Sequence, residues 1–89
     1  MPRPRPQPIF PANPYEFNPR GLTQWEEPST YNGKMIFWSD ASGKVVFQWD
    51  ENPNGPAKDG PHYHIKELPK GNHFYPGMPV PDPWASIYF

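Results

Sequence analysis

The 89-residue sequence contains no cysteine, so no disulfide can stabilise it and no thiolate can bind zinc. No run approaches the ~18 apolar residues of a membrane-spanning helix, and the start "MPRPRPQPIF" lacks the apolar centre of a secretory signal. Positive charge is also scarce, because eight lysines and arginines face nine acidic residues at a net charge of −1. This balance argues against strong non-specific attraction to a phosphate backbone. We expect a soluble chain with no membrane partner.

Proline and aromatic residues are abundant instead, with 16 prolines and an aromatic content of 17%. A chain this short has room for one domain, close to the size at which a single core becomes marginal. Large rings must therefore fill most of that core. The prolines crowded into residues 1–12 exclude a helix there and predict an extended linker. Residues 13–89 are predicted to form the single small domain.

Residues 33–50, "GKMIFWSDASGKVVFQWD", predict a β-hairpin around the turn "DASG". If Asp40 lies opposite Lys44, Lys34 lies opposite Asp50. The predicted core face consists of Met35, Phe37, Val45, Phe47 and Trp49. The predicted polar face consists of Lys34, Ile36, Trp38, Val46, Gln48 and Asp50.

The remaining segments give weaker signals. Thr23 as N-cap, Glu26 as its capping-box partner and Pro28 as a stop predict one short N-terminal helix. "HYHIKEL" predicts a third strand, "HFY" a short fourth and "ASIYF" an edge strand. The fold class is therefore mainly β (small α+β). We expect a twisted antiparallel sheet of three to five strands, at most one short helix, and long proline-rich irregular segments over its apolar face.

The stretch "GPHYHIK" contains two of the three histidines. Because alternate side chains of a strand share a face, His62, His64 and Lys66 should point one way and Tyr63 and Ile65 the other. If Tyr63 and Ile65 join the core, the histidines share a face with Lys34, Gln48 and Asp50. Histidine suits both proton transfers of metal-free RNA cleavage, since its pKa of about 6.5 leaves both forms populated near neutral pH.

The hypothesis assigns a role to each side chain. His62 and His64 form the acid and base pair, with His73 in reserve for either role. Asp50 or Glu51 orients an imidazole, and Lys66 or Lys34 contacts the phosphate. Trp38 offers a stacking platform for a base. The candidate substrate-binding residues are Lys34, Trp38, Gln48 and Tyr63.

Three alternatives remain open. The row of polar side chains is in many small proteins only a solvated sheet face, with Lys34 and Asp50 as an ordinary cross-strand pair. His62 and His64 can also ligate zinc, with His73 or Asp50 as the third ligand of a hydrolase. A non-enzymatic interaction module, docking through aromatic side chains and prolines, is the third. We expect no cofactor and no metal.

The order of "NPYEFNPRGL", the hairpin, "GPHYHI" and "YPGMPVPDPW" resembles the small C-terminal toxin modules of bacterial polymorphic toxins, of the contact-dependent or Rhs type. The resemblance runs from about residue 13 to the end. It implies a monomeric RNase that attacks tRNA or ribosomal RNA without a metal, with catalytic roles for His62 and His64. It also implies a tight immunity protein as partner, delivery from a secreting bacterium, and action in the target-cell cytoplasm. Residues 1–12 would then lead from a delivery scaffold.

Overall fold

The computed structural model describes residues 7–28, 33–51, 60–69 and 71–89. Within them lies one antiparallel sheet with the strand order β1-β2-β3-β4. Its strands are β1 (Thr23–Pro28), β2 (Lys34–Ser39), β3 (Val45–Glu51) and β4 (His62–Ile65). A 3₁₀ turn at Pro14–Glu16 precedes the sheet, and a short helix α1 (Trp84–Tyr88) follows it. This confirms the predicted small, mainly β fold. No helix in the described part of the chain has the length and apolar character to cross a membrane.

One face of the sheet carries the core, and irregular segments from both ends of the chain cover it. The buried side chains are Phe10, Phe17, Ile36, Trp38, Val46, Phe47, Trp49, Tyr63, Ile65, Val80 and Ala85. Large aromatic side chains dominate this set, as a small fold without disulfides requires. The rings pack at centroid separations near 5 Å, for example 5.0 Å between Phe17 and Trp38.

The described part of the proline-rich start, from residue 7 onward, packs on the domain. The Phe10 amide donates to Met78 O at 2.9 Å, and the Val80 amide donates to Pro8 O at 2.8 Å. Phe10 itself is fully buried. The packed chain therefore begins by residue 7, earlier than the predicted boundary at 13, and residues 1–6 of the predicted linker lie outside the described residues.

The hairpin forms at the predicted turn but in a different register. The Asp40 amide donates to Lys44 O at 2.9 Å, as expected. A bulge beside Trp38 and Ser39 then gives β3 one extra residue, so that Trp38 lies opposite Phe47 and Lys34 opposite Glu51. A one-residue slip turns every side chain of β2 to the other face.

The reversal corrects three predictions about β2. Ile36 and Trp38, predicted on the polar face, are buried. Met35 and Phe37, predicted in the core, lie on the opposite face, where Met35 pairs with Asp50. The predicted pairing of Lys34 with Asp50 is therefore wrong. In β3, Phe47 and Trp49 lie in the core and Gln48 and Asp50 on the open face as predicted, but Val46, predicted on the polar face, is buried.

Two further local predictions are wrong. Thr23–Pro28 is the edge strand β1 rather than a capped helix, because all six residues pair with β2. Trp25 stacks on Phe37 across this pair at a centroid distance of 4.2 Å. Pro28 fits at the sheet edge, where its missing N–H is no loss. The predicted edge strand at "ASIYF" is instead helix α1.

Candidate functional site

The open face of the sheet, opposite the core, brings the predicted catalytic residues together. Side chains alternate between the two faces of β4 as predicted, since Tyr63 and Ile65 are fully buried and the two histidines point the other way. Across β3 and β4, Asp50 lies opposite His62 and Gln48 opposite His64. The bridge between Tyr63 and Phe74 brings the segment after residue 71 against β4.

Three imidazole rings meet on this face and form the histidine cluster: His62, His64 and His73. Their centroids lie 4.6 Å (His62 to His64), 4.4 Å (His62 to His73) and 5.0 Å (His64 to His73) apart. These are all the histidines in the chain. The fold therefore gathers every imidazole of the protein into one cluster.

Asp50 lies beside this cluster. Its Oδ2 is 2.8 Å from His64 Nε2 and 3.9 Å from His62 Nε2, and its Oδ1 accepts a 2.6 Å hydrogen bond from Gln48. Burial disfavours the charged carboxylate, but the hydrogen bonds from His64 and Gln48 outweigh it and lower the pKa of Asp50. The lowered pKa favours the ionised carboxylate, which contacts His64 and lies near His62.

The hydrogen bonds distinguish the three rings. His64 faces an acceptor at each nitrogen, Asn72 O at 2.7 Å from Nδ1 and the Asp50 carboxylate at Nε2, so it donates to both only when protonated. His62 contacts Gly60 O through Nδ1 at 2.6 Å, which leaves its Nε2 without a short hydrogen bond. His73 makes no hydrogen bond to another described residue. Among the described contacts, the ring nitrogens without a short hydrogen bond thus belong to His62 and His73.

The environment also sets the protonation of His62. Burial lowers its pKa, and the neighbouring His64 and His73 act in the same direction, against the hydrogen bond to Gly60 O and the charge of Asp50. His62 is therefore biased toward its neutral form. Neutral imidazole is the form that accepts a proton.

This lowered pKa predicts a pH-dependent stability. At a pH above about 6.5, the pKa of His62 in the unfolded chain, His62 makes its full contribution to the free energy of unfolding. That contribution is lost as the pH falls through the lower pKa of His62 in the folded protein. The groups that face His62 are Asp50, His64, His73 and Tyr75. Urea unfolding at about pH 7.5 and about pH 5.5, in chelator, should show a smaller acid-induced loss in His62→Gln than in wild type. Equal losses in the two proteins would contradict this reading.

Asn72 holds the segment that carries His73, and sequence reasoning missed it. Its Oδ1 accepts from the Ile65 amide at 2.9 Å, and its Nδ2 donates to Pro69 O at 2.8 Å and to Ile65 O at 3.2 Å. Its own carbonyl binds His64 Nδ1. The turn signal "PKGN" marked this place in the chain, but nothing in it indicated that the Asn side chain completes the sheet edge.

Replacing Asn72 should therefore destabilise both fold and site. Asn72→Ala leaves the Ile65 amide without its partner, which predicts a loss of about 1–3 kcal/mol in the free energy of unfolding. Urea denaturation measures it. Asn18→Ala is the matched control, because that exposed side chain makes a single local bond to Glu16 O and its loss should change stability by no more than about 0.5 kcal/mol.

An open groove of about 390 Å³ adjoins the histidine cluster. Its lining includes Gln48, Asp50, His64, Lys66 and Asn72. Lys66 is exposed and is the cation among these residues. The same groove is thus lined by a cation and by the Asp50 and His64 pair, and the sequence hypothesis assigns Lys66 to the phosphate contact.

Three predicted substrate-binding residues lie elsewhere. Trp38 is 1% exposed and donates through Nε1 to Phe17 O, so it offers no stacking platform. Tyr63 is fully buried and donates its hydroxyl to Pro11 O, and burial raises the pKa of its phenol. Lys34 lies on the core-side face, with Nζ 3.9 Å from Glu51 Oε2 and 3.3 Å from Tyr15 Oη. Each error follows from the shifted register or from placing a core residue in the site.

Tyr75 is a site neighbour that the sequence did not reveal. Its ring centroid lies 6.0 Å from that of His62 and 6.3 Å from that of His73. The residue is 38% exposed. The segment "HFYPG" placed it next to His73, but no sequence signal indicated that this segment lies against β4.

The same three histidines are the described residues best placed to hold a metal ion. Their ligand nitrogens all lie within 4.8 Å of one another.

Comparisons with models of known protein families, with characterised proteins and with solved structures found no match to this chain. Function must therefore be argued from the geometry of the site.

Proposed function

We propose that this chain is a metal-independent endoribonuclease of the bacterial toxin-module type, which cleaves tRNA or ribosomal RNA by attack of a ribose 2′-hydroxyl. The observation that carries the proposal is the histidine cluster around Asp50, beside a groove that contains Lys66. Such a site combines proton acceptors, proton donors and a cation, which are the three things this reaction needs.

The reaction divides into two proton transfers. A neutral imidazole takes the proton from the 2′-hydroxyl, and the oxygen attacks the adjacent phosphorus. The bond from phosphorus to the 5′-oxygen then breaks, and a protonated imidazole donates a proton to that oxygen. The products are a 2′,3′-cyclic phosphate and a free 5′-hydroxyl.

The hydrogen bonds suggest which imidazole does what. His62 and His73 carry nitrogens that make no short hydrogen bond to a described residue and are the proposed proton-transfer pair, with His62 as the base because its pKa is lowered. His64 is held at both nitrogens and acts with Asp50 to position the cluster. Lys66 faces the groove and stabilises the charge that develops on the phosphate.

The first test is direct. The purified full chain is incubated with total tRNA and with ribosomes in EDTA, and the products are analysed for cyclic phosphate ends. We expect discrete fragments, and an oligonucleotide with 2′-deoxyribose at the cleavage site should remain whole. RNA that stays intact would refute the proposal.

Zinc-dependent hydrolysis is the second candidate, and the convergence of three histidine nitrogens favours it. It predicts that EDTA abolishes cleavage and that added zinc restores it. Cleavage in EDTA would therefore exclude it and support the metal-independent reaction.

The toxin assignment includes a partner. A nuclease that attacks tRNA or ribosomal RNA in the target-cell cytoplasm also threatens its producer, so a tight immunity protein should accompany it. We expect expression in a bacterial cell to stop growth unless that protein is co-expressed. Harmless expression together with stable capture of a protein partner would instead support the non-enzymatic interaction module.

A further inference from the structure

The histidine cluster has the internal arrangement of a metal-ligand set. In metal sites a ligating histidine commonly donates its second ring N–H to a backbone carbonyl, which fixes the tautomer and aims the other nitrogen at the metal. His62 and His64 both have this arrangement, with Gly60 O and Asn72 O as the carbonyl partners of Nδ1. Their Nε2 atoms both point to the side where Asp50 Oδ2 lies, at 3.9 and 2.8 Å.

The distances allow a third ligand and an ion. Nitrogen ligands at about 2.0–2.1 Å from a tetrahedral zinc lie roughly 3.3 Å from one another. The ligand nitrogens of the three histidines lie within 4.8 Å of one another, so modest side-chain rotations bring them to that spacing. His73 makes no hydrogen bond to another described residue, so its rotation breaks none of those observed.

The charge and ligand chemistry select the type of ion. Three imidazoles and one carboxylate suit zinc and its divalent first-row neighbours, whereas magnesium and calcium take oxygen ligands. Asp50 supplies a negative charge beside the cluster, with Oδ2 2.8 Å from His64 Nε2. The nearest lining cation, Lys66, extends from an exposed position of the groove.

We propose that His62, His64 and His73 bind one divalent transition-metal ion of the zinc class, with Asp50 beside it, and that this ion inhibits RNA cleavage. The binding site stands on the geometry alone, whereas the inhibition depends on the proposed ribonuclease activity. Bound metal occupies the nitrogen lone pairs that the proton transfers use. The protein would then be active without metal and silent with it.

Binding is tested first, without RNA. Zinc is titrated into metal-free full-length protein by calorimetry, and cobalt(II) is added separately to follow its visible absorption. We expect one ion per chain, a rise in melting temperature that EDTA reverses, and a cobalt spectrum of low coordination number. His73→Ala and His62→Ala should each weaken zinc binding at least about tenfold.

Glu67→Gln is the matched control. It removes a carboxylate from the segment that follows β4, where Glu67 pairs with Lys44 at 3.0 Å, without altering the cluster. Its zinc affinity should equal that of wild type. His73→Asn serves as a second variant if His73→Ala unfolds, and melting in EDTA verifies the fold of each protein. Wild-type affinity in a folded variant that lacks His73, or no binding by wild type, would overturn the site.

The activity arm distinguishes the two proposals. Stoichiometric zinc should suppress cleavage by wild type, and EDTA should restore it. If zinc binds but wild type leaves RNA intact in EDTA, the ribonuclease proposal fails and the metal site stands. If zinc accelerates cleavage, the inhibition is wrong and the cluster is a catalytic metal centre.

Discussion

His62→Ala is expected to lower the rate of RNA cleavage in EDTA by about 10²–10⁴-fold, the usual contribution of a positioned general base. The reason lies in its hydrogen bonds. Nδ1 is hydrogen-bonded to Gly60 O, so Nε2 is the nitrogen left to accept a proton, and it lies 3.9 Å from Asp50 Oδ2. A water molecule in place of the ring supplies neither the position nor the basicity.

His73→Ala should show a loss of the same order, because the His73 ring makes no hydrogen bond to another described residue and its centroid lies 4.4 Å from that of His62. If the two rings transfer protons in one reaction, their effects are not additive. The double variant should then be little worse than either single variant. Two independent, fully additive losses would argue that one of the rings acts only on the structure.

Tyr75→Phe provides the control for these kinetic measurements. It keeps the ring beside His62 and His73 and removes only a hydroxyl for which no hydrogen bond to another described residue is present. Its cleavage rate in EDTA should stay within about threefold of wild type, since no proton transfer is assigned to that hydroxyl. Folded His62→Ala protein that cleaves RNA at the wild-type rate would contradict the assignment of the base.

The sequence predicted which face of β4 carries the histidines because that prediction needed only the alternation of side chains along one strand. Tyr63 and Ile65 are apolar neighbours of two polar imidazoles, and burying one pair exposes the other whatever the rest of the sheet does. The prediction for β3 depended on the same alternation. Because Phe47 and Trp49 face the core, Gln48 and Asp50 lie on the face that carries the histidines. These two alternations put Asp50 and His64 on one face, and the pairing of β3 with β4 in the structure brings them into contact.

The errors concern features that depend on distant contacts. A bulge beside Trp38 reverses β2, and local pattern does not reveal it because both faces of "MIFW" are apolar. The capping-box signal at Thr23 was real as a local preference, but pairing with β2 along six residues outweighs it. Asn72 and Tyr75 reach the site only through packing of a late segment on β4, which the sequence order does not disclose.

The proline content predicted an extended linker over residues 1–12, whereas the apolar side chains of Ile9 and Phe10 indicated that order begins near residue 9. Proline restricts the backbone but does not prevent its neighbours from packing, and an already extended chain loses less conformational entropy when it docks. Gln7 Nε2 donates to Val80 O at 2.6 Å, and residues 8 to 10 bond with residues 77 to 80. This start of the chain acts as a cover for the core.

Phe10→Ala should therefore have a larger effect on stability than any substitution in the open face. The Phe10 ring is fully buried and lies 4.7 Å from Tyr63, 5.2 Å from Phe74 and 5.3 Å from Phe17 between centroids. Truncating a buried phenylalanine costs about 3–5 kcal/mol, which is comparable to the whole stability that one core supplies in a chain of this size. We expect the variant to be largely unfolded at room temperature by circular dichroism and urea titration.

The neighbouring residue makes the test specific. Ile9 is 54% exposed and pairs with Pro79 through its backbone, so Ile9→Ala removes similar apolar character without opening a cavity. It should change the free energy of unfolding by no more than about 0.5 kcal/mol. Equal, small effects of the two substitutions would mean that the first residues do not cover the core in solution. Because Phe10 packs on Tyr63, the residue between the two β4 histidines, its loss should also reduce cleavage in proportion to the unfolded fraction.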